Sequence, residues 1–168
     1  MTDNTPVVAF VGTSDAGKTT VVEGVVSELA GRGWRVATVK HSGHGFEIDV
    51  PGKDSHRHAQ AGAALSMVSS PSRFAAIRHV EQELTLDEIA AVAADADILI
   101  AEGFKAQATH RIEVSRRERS ETLVCAADEI VALVTDHASL PGVPAFSLDD
   151  ARGIATFIED EYLVREPA

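Results

Sequence analysis

The chain has 168 residues, 45% of them hydrophobic and 24% charged, which is the composition of a globular protein with room for one buried core. Its formal net charge of -11 argues against binding to nucleic acid or to an anionic membrane surface. A single cysteine, Cys125, excludes a disulfide framework and a cysteine-based zinc site. No apolar run reaches spanning length and the N-terminus lacks a signal-like pattern, so we expect a cytoplasmic protein without a membrane partner.

Strand-like apolar runs alternate with helix-like segments along the chain. A first strand, Val7–Val11, precedes a helix from Lys18 to about Arg32, and a second strand covers Trp34–Lys40 before a Gly- and His-rich loop, His41–Lys53. The later predicted elements are a helix from Asp54 or Ser55 to Ala61, strands Leu65–Val68 and Phe74–Ile77, a helix from the capping box at Thr85 to about Ala94, strands Ile98–Ala101, Arg111–Ser115, Val131–Val134 and Val143–Phe146, and a helix from Asp149 or Asp150 to about Leu163. This alternation predicts an α/β fold with a mostly parallel sheet and ligand sites at the carboxyl ends of its strands.

A glycine-rich segment between the first strand and the first helix fits the pattern G-x-x-x-x-G-K-[ST] of phosphate-binding loops. Inward-pointing amides and the helix N-terminus favour phosphate, the lysine can reach the β- and γ-phosphates, and the threonine hydroxyl can ligate Mg²⁺. The predicted nucleotide-binding residues are Gly12, Thr13, Ser14, Asp15, Ala16, Gly17, Lys18, Thr19 and Thr20. The strand–loop–helix context of this motif, together with the alternation of strands and helices, predicts one domain over residues 1–168. Its expected fold is a P-loop NTPase-like three-layer fold with a sheet flanked by helices.

Two carboxylates are candidates for metal binding and catalysis. Glu102 follows the apolar run Ile98–Ala101, so it falls on the same sheet edge as the loop, where an acid can hold Mg²⁺ or orient water. A solvated loop carboxylate is the alternative. Asp49 and Asp54 flank a flexible turn after the second strand, and one of them is predicted to reach the metal or the γ-phosphate. Asp54 is the candidate ligand, although its position equally suits a helix N-cap.

Three further groups carry weaker signals. Asp136 follows a buried strand, where a carboxylate can accept hydrogen bonds from guanine, but the usual N/T-K-x-D signature is absent. His41 and His44 suit either a transition-metal site or polar substrate contacts. The basic cluster either faces the nucleotide, an anionic cosubstrate or an acidic partner, or forms a solvated strand face; it comprises Lys105, Arg111, Arg116, Arg117 and Arg119.

Several segments together resemble the molybdopterin-guanine dinucleotide biosynthesis adapter proteins. The matching segments are G-T-S-D-A-G-K-T-T (Gly12–Thr20), V-K-H (Val39–His41) with His44, D-V-P-G-K-D-S (Asp49–Ser55), A-G-A (Ala61–Ala63), A-E-G-F-K (Ala101–Lys105) and R-I-E-V with Arg116. The likeness covers about the first two-thirds of the chain. Asp15 departs from this family, which is expected to have a small or hydroxyl residue at that position of the loop. With Asp15, the segment T-S-D-A-G-K is also similar to the loop of cobyric acid synthases.

The resemblance implies a GTP-binding homodimer that uses Mg²⁺, hydrolyses GTP slowly at most, and assists the molybdenum cofactor guanylyltransferase. It implies phosphate binding by Gly12, Gly17, Lys18 and Thr19, with Glu102 and Asp54 near the metal and γ-phosphate. Contacts to the partner or to molybdopterin are expected from His41, His44, Lys105, Arg111 and Arg116. The alternatives are a small-molecule kinase or amidoligase and a metallochaperone GTPase, which the histidines favour.

Overall fold

The computed structural model describes residues 5–120 and 122–163. Their backbone contacts divide them into two compact units: Ser42–Leu84 forms one, and everything described before Ser42 and after Leu84 forms the other. We refer to these as the small unit and the main unit. The phosphate-loop segment belongs to the main unit.

The described residues contain eight strands, four α-helices and one short 3₁₀ turn. The strands are β1 (Val7–Val11), β2 (Val36–Lys40), β3 (Leu65–Ser69), β4 (Phe74–Arg78), β5 (Ile98–Glu102), β6 (Arg111–Ser115), β7 (Ala132–Thr135) and β8 (Ala145–Phe146). The helices are α1 (Lys18–Gly31), α2 (Asp54–Gln60), α3 (Leu86–Val92) and α4 (Ala151–Tyr162), and the 3₁₀ turn covers Ala127–Glu129.

Six strands of the main unit form one parallel sheet in the order β2-β5-β1-β6-β7-β8. Strand β1 therefore lies between β5 and β6, and the register places Phe10 opposite Glu102 on one side and Val11 opposite Glu113 on the other. Because all strands run the same way, their carboxyl ends meet at one edge. The predicted α/β fold with a mostly parallel sheet is confirmed.

Alternating side chains along the strands build a core on each face of this sheet, as expected for a parallel sheet covered on both sides. On one face, Phe10 and its strand neighbours pack against α1 and α4, where Leu29 and Ile158 are fully buried. On the other face, Leu99 packs with Leu86 of α3 and with the segments around Phe104 and Cys125. These two apolar cores, one on each face of the sheet, fix the position of the strands whose carboxyl ends carry the loop.

Several predicted boundaries need correction. The N-cap of α2 is Lys53, and Asp54 is its first helical residue, so the predicted N-cap at Asp54 or Ser55 is wrong. Strand β8 is shorter than predicted, because Val143 and Pro144 precede the two residues that pair with β7. The predicted capping box at Thr85 is confirmed, since its side chain accepts the N–H of Glu88 while Glu88 accepts the N–H of Thr85.

The regular secondary structure of the small unit is α2 and the antiparallel pair β3–β4. In that pair, Ser69 lies opposite Phe74 and Met67 opposite Ala76. Ser55 of α2 donates to Asp49, and Ser66 of β3 donates to the Ser55 carbonyl, so short polar contacts tie the helix to the strands. Such a small unit has little apolar surface to bury by itself.

Candidate phosphate-binding site

The segment Gly12–Thr19 connects the carboxyl end of β1 to the first turn of α1 and forms a compact loop. Gly12 has φ 144°, and a β-carbon there would clash with the carbonyl oxygen of Val114. Gly17 is the N-cap of α1 with φ 93°, again in the region that favours glycine. Asp15 is exposed and also has a positive φ, 59°. The glycines therefore let the chain pass close to β6 and turn directly into a helix N-terminus.

Lys18 lies folded back over this loop. Its ammonium donates to the carbonyl oxygens of Gly12 at 3.1 Å and Thr13 at 2.6 Å. Burial is the main cause that lowers the pKa of Lys18 below its usual 10.5, Lys40 lowers it further, and Glu102 opposes the shift. A half-buried cation whose hydrogen bonds go to two neutral carbonyls is a favourable place for an anion to bind.

Thr19, Glu102 and Lys40 form a polar cluster beside the loop. The Thr19 hydroxyl donates to both carboxylate oxygens of Glu102 at 3.0 Å, and the Lys40 ammonium lies 3.0 Å from Glu102 Oε1. Lys40 also donates to the Thr19 hydroxyl at 3.3 Å. The parallel register, which places Lys40 opposite Glu102, brings the two charged groups together. A hydroxyl and a carboxylate are oxygen ligands of the kind Mg²⁺ prefers, so these residues fit that ion.

Asp136 lies at the carboxyl end of β7, on the β6 side of the loop. Its Oδ1 accepts the backbone N–H of Arg117 at 2.7 Å, and this hydrogen bond holds the pKa of the exposed carboxyl below its usual value. The guanidinium of Arg117 donates to the Asp136 carbonyl at 3.0 Å. These contacts fix the segment after β7 to the segment after β6. The guanine-reading role of Asp136 stays a prediction.

The remaining candidates are distributed over both units. Asp54 and His44 are exposed residues of the small unit, and Asp54 forms an ion pair with Arg57 at 3.9 Å. His41 belongs to the main unit, where its ring lies 5.1 Å from that of Phe104. The roles predicted for these residues remain predictions.

The basic cluster does not act as one surface. Lys105 donates to the carbonyl of Val124, and Arg111 donates to the Lys105 carbonyl at 2.9 Å. Arg111 also lies 3.7 Å from a carboxylate oxygen of Glu129. By contrast, the guanidinium of Arg116 lies against the loop at Gly17: a β-carbon built there would be 3.2 Å from Arg116 Nη2.

Two residues to which the sequence alone assigned no role make contacts that shape the site or its surroundings: Lys40 contacts Glu102 and Thr19, and Glu113 accepts two backbone N–H groups. Lys40 entered only as part of V-K-H; its position directly before His41 at the end of a strand was the available signal. Glu113 is 1% exposed on β6 and accepts the N–H groups of Val124 and Cys125 at 2.6 and 2.9 Å. Its place between Ile112 and Val114, two apolar residues of the strand, was the available signal. Burial and Glu113 together raise the pKa of the Cys125 thiol.

Among the residues that the structure describes, none of the helices combines the length and the apolar character that crossing a bilayer requires. Among the same residues, no three or more His, Cys, Asp or Glu side chains come together as a metal-holding group.

A family model described as "Molybdopterin guanine dinucleotide synthesis protein B" (MobB) matches residues 7–136, which include the loop, Glu102 and Arg116. The chain belongs to the MobB family. It is 32% identical over 160 residues to the molybdopterin-guanine dinucleotide biosynthesis adapter protein of Escherichia coli K12, with 91% of each chain covered. To the Haemophilus influenzae protein of the same name it is 29% identical over 162 residues, covering 95% of this chain and 91% of that one.

Solved structures of MobB proteins share the fold. A crystal structure of molybdopterin-guanine biosynthesis protein B superimposes with a TM-score of 0.73 at 32% identity, covering 92% of this chain and 98% of that chain. The crystal structure of Bacillus subtilis MobB gives a TM-score of 0.74 at 27% identity, with 96% and 99% covered. The resemblance to this family inferred from the motifs is confirmed.

Proposed function

We propose that this MobB family member binds GTP with Mg²⁺ in the Gly12–Thr19 loop and acts as an adapter in molybdopterin-guanine dinucleotide biosynthesis. The observation that carries the proposal is the position of Lys18, a half-buried ammonium held by two loop carbonyls at the N-terminus of α1. Exchanging those neutral acceptors for a phosphate gives the ammonium charge-assisted hydrogen bonds. The helix N-terminus adds a favourable dipole. The relatives' names as adapter proteins support the biosynthetic role.

In this proposal Thr19 and Glu102 hold the metal. The hydroxyl already lies 3.0 Å from both carboxylate oxygens, so both ligands come from one preformed cluster. Bound Mg²⁺ would neutralise phosphate charge, while Lys18 and the loop amides orient the nucleotide. Nucleotide hydrolysis by the chain alone is slow at most. Its partner is the guanylyltransferase that joins GMP to molybdopterin, and it works in the cytoplasm.

Lys18→Ala tests the loop directly. Because removal of the ammonium deletes charge-assisted contacts to the β- and γ-phosphates, GTP affinity should fall by about 100-fold or more. Calorimetry with GTP and ATP in the presence of Mg²⁺ measures this. Lys53→Ala removes the same charge from an exposed position of the small unit and serves as the control. GTP binding that survives unchanged in Lys18→Ala would contradict the proposal.

We further propose a homodimer formed through the small unit. Leu65, Met67 and Phe74 lie on one face of the β3–β4 pair, and their exposed fractions are 38%, 58% and 67%. A second copy of the same face would bury this apolar surface, which is costly to leave in water. Sedimentation of Met67→Asp should show a monomer where the unaltered chain shows a dimer. A monomeric unaltered chain would refute the assembly and leave the nucleotide proposal standing.

A further inference from the structure

Arg116 occupies a distinctive place beside the loop. It directly follows β6, the strand next to β1. Because Val11 at the end of β1 lies opposite Glu113, the end of β6 runs beside the start of the loop. A β-carbon at Gly17 would be 3.2 Å from Arg116 Nη2, 3.8 Å from its Cζ and 4.0 Å from its Nε. The guanidinium therefore lies over Gly17, the N-cap residue of α1, where an alanine would crowd it.

This guanidinium has no partner among the residues that the structure describes. Its Nε is buried without a hydrogen bond, and no described carboxylate lies within ion-pair distance. Neighbouring arginines differ: Arg117 donates to the Asp136 carbonyl and Arg111 pairs with Glu129. Leaving a partly buried cation unpaired is costly, particularly in a chain of net charge -11 that offers 26 carboxylates as partners. An anionic ligand would remove that cost.

We propose that Arg116 is a second cation of the phosphate site, which acts with Lys18 on the phosphates shared by GDP and GTP. The planar guanidinium can donate two parallel hydrogen bonds to one phosphate, which an ammonium cannot. Arg116 approaches the loop from β6, whereas Thr19 and Glu102 define the metal side next to β5, on the other flank of β1. It therefore binds away from the metal, and its contact does not depend on the γ-phosphate. This inference rests on the proposed nucleotide binding and replaces the predicted contact of Arg116 with a partner or pterin.

The test compares GTP and GDP affinities of the full chain by calorimetry for the unaltered protein, Arg116→Gln, Arg116→Lys and Arg119→Gln. Loss of charge-assisted hydrogen bonds should weaken both nucleotides by about 10- to 100-fold in Arg116→Gln. Arg116→Lys should recover part of the loss, since the charge returns without the forked donors. Arg119→Gln changes the same charge at an exposed position of the same segment and should bind normally.

Three results would overturn the inference. One is that Arg116→Gln binds GTP and GDP with affinities within about twofold of those of the unaltered chain, while its circular dichroism spectrum is unchanged. Another is a loss confined to GTP, which would place the contact at the γ-phosphate. A third is an equal loss in Arg119→Gln, which would show a general effect of charge. If Arg116→Gln does not fold, a folded Arg116→Lys with unaltered affinity for both nucleotides refutes the forked contact.

The controls separate this inference from the proposed function. If the unaltered chain binds neither GTP nor GDP, the nucleotide proposal fails and the inference with it. If Lys18→Ala loses binding while Arg116→Gln retains it, only the role of Arg116 fails.

Discussion

Replacing Lys40 by methionine probes the cluster proposed to hold Mg²⁺. The Lys40 ammonium lies 3.0 Å from Glu102 Oε1 and 3.3 Å from the Thr19 hydroxyl, so it contacts both proposed metal ligands. An ammonium and Mg²⁺ cannot both lie between the same oxygens, and Lys40 must withdraw when the ion binds. Methionine keeps the unbranched side chain without its charge. Lys40→Met should therefore strengthen Mg²⁺ binding.

The structure sets the size of this effect. Two unit charges 3.0 Å apart attract by about 1.4 kcal/mol in bulk water. Lys40 is 64% exposed while Glu102 is 12% exposed, so the pair is partly screened and the long lysine side chain loses entropy when it is held. A net value of about 0.2–1 kcal/mol is typical of such pairs. Removing the competing ammonium should then lower the Mg²⁺ midpoint by about 1.4- to fivefold.

Fluorescence of a labelled guanine nucleotide, followed during Mg²⁺ titration, measures that midpoint. Arg35→Met is the matched control, because Arg35 forms a 3.1 Å ion pair with Asp97 at the opposite end of the same strand pair. Its midpoint should equal that of the unaltered chain. A midpoint for Lys40→Met that is equal to or above the unaltered value would refute competition between the two cations.

Three other variants test stability and base recognition. Glu113→Ala leaves two amides, those of Val124 and Cys125, without their acceptor, so urea unfolding should show a loss of about 3–5 kcal/mol; a loss below about 0.5 kcal/mol would contradict this assignment. Asp97→Ala should cost about 1 kcal/mol at neutral pH. Hydrogen bonds from Arg35 depress the pKa of Asp97, so its contribution is complete above the ordinary value of 3.8 and is lost as pH falls through the lower folded value. Urea unfolding at several pH values checks that the difference in free energy of unfolding between Asp97→Ala and the unaltered chain shrinks only in acid. Asp136→Asn should reduce the preference for GTP over ATP about tenfold, measured by competition, and an unchanged preference would exclude base reading by Asp136.

Local patterns predicted most of the main unit. The run Val7–Val11, the loop glycines and the spacing of Val22, Val25 and Leu29 identified β1, the loop and α1, because each signal lies within a few consecutive residues. The cap of α2 was misassigned because both Lys53 and Asp54 fit a helix start, and propensity alone favours the carboxylate.

The sequence did not distinguish the roles of the residues in the basic cluster. Lys105, Arg111 and Arg116 follow one another along the chain and looked equivalent as charges. In the structure the first two hold backbone and carboxylate groups near residues 124–129, while the third lies against the phosphate loop. Residue type could not separate these roles, because it does not specify which neighbour each side chain meets.

The sequence by itself determined the Gly12–Thr19 loop between β1 and α1, since eight consecutive residues supply its glycine turns, its lysine and its helix start. Tertiary structure alone decided which side chains flank that loop. Lys40 and Glu102 meet because β2 pairs with β5 in one register, and Arg116 reaches Gly17 because β6 pairs with β1. Strand order and register arise from the packing of the whole sheet against its helices, and no short stretch of sequence encodes them.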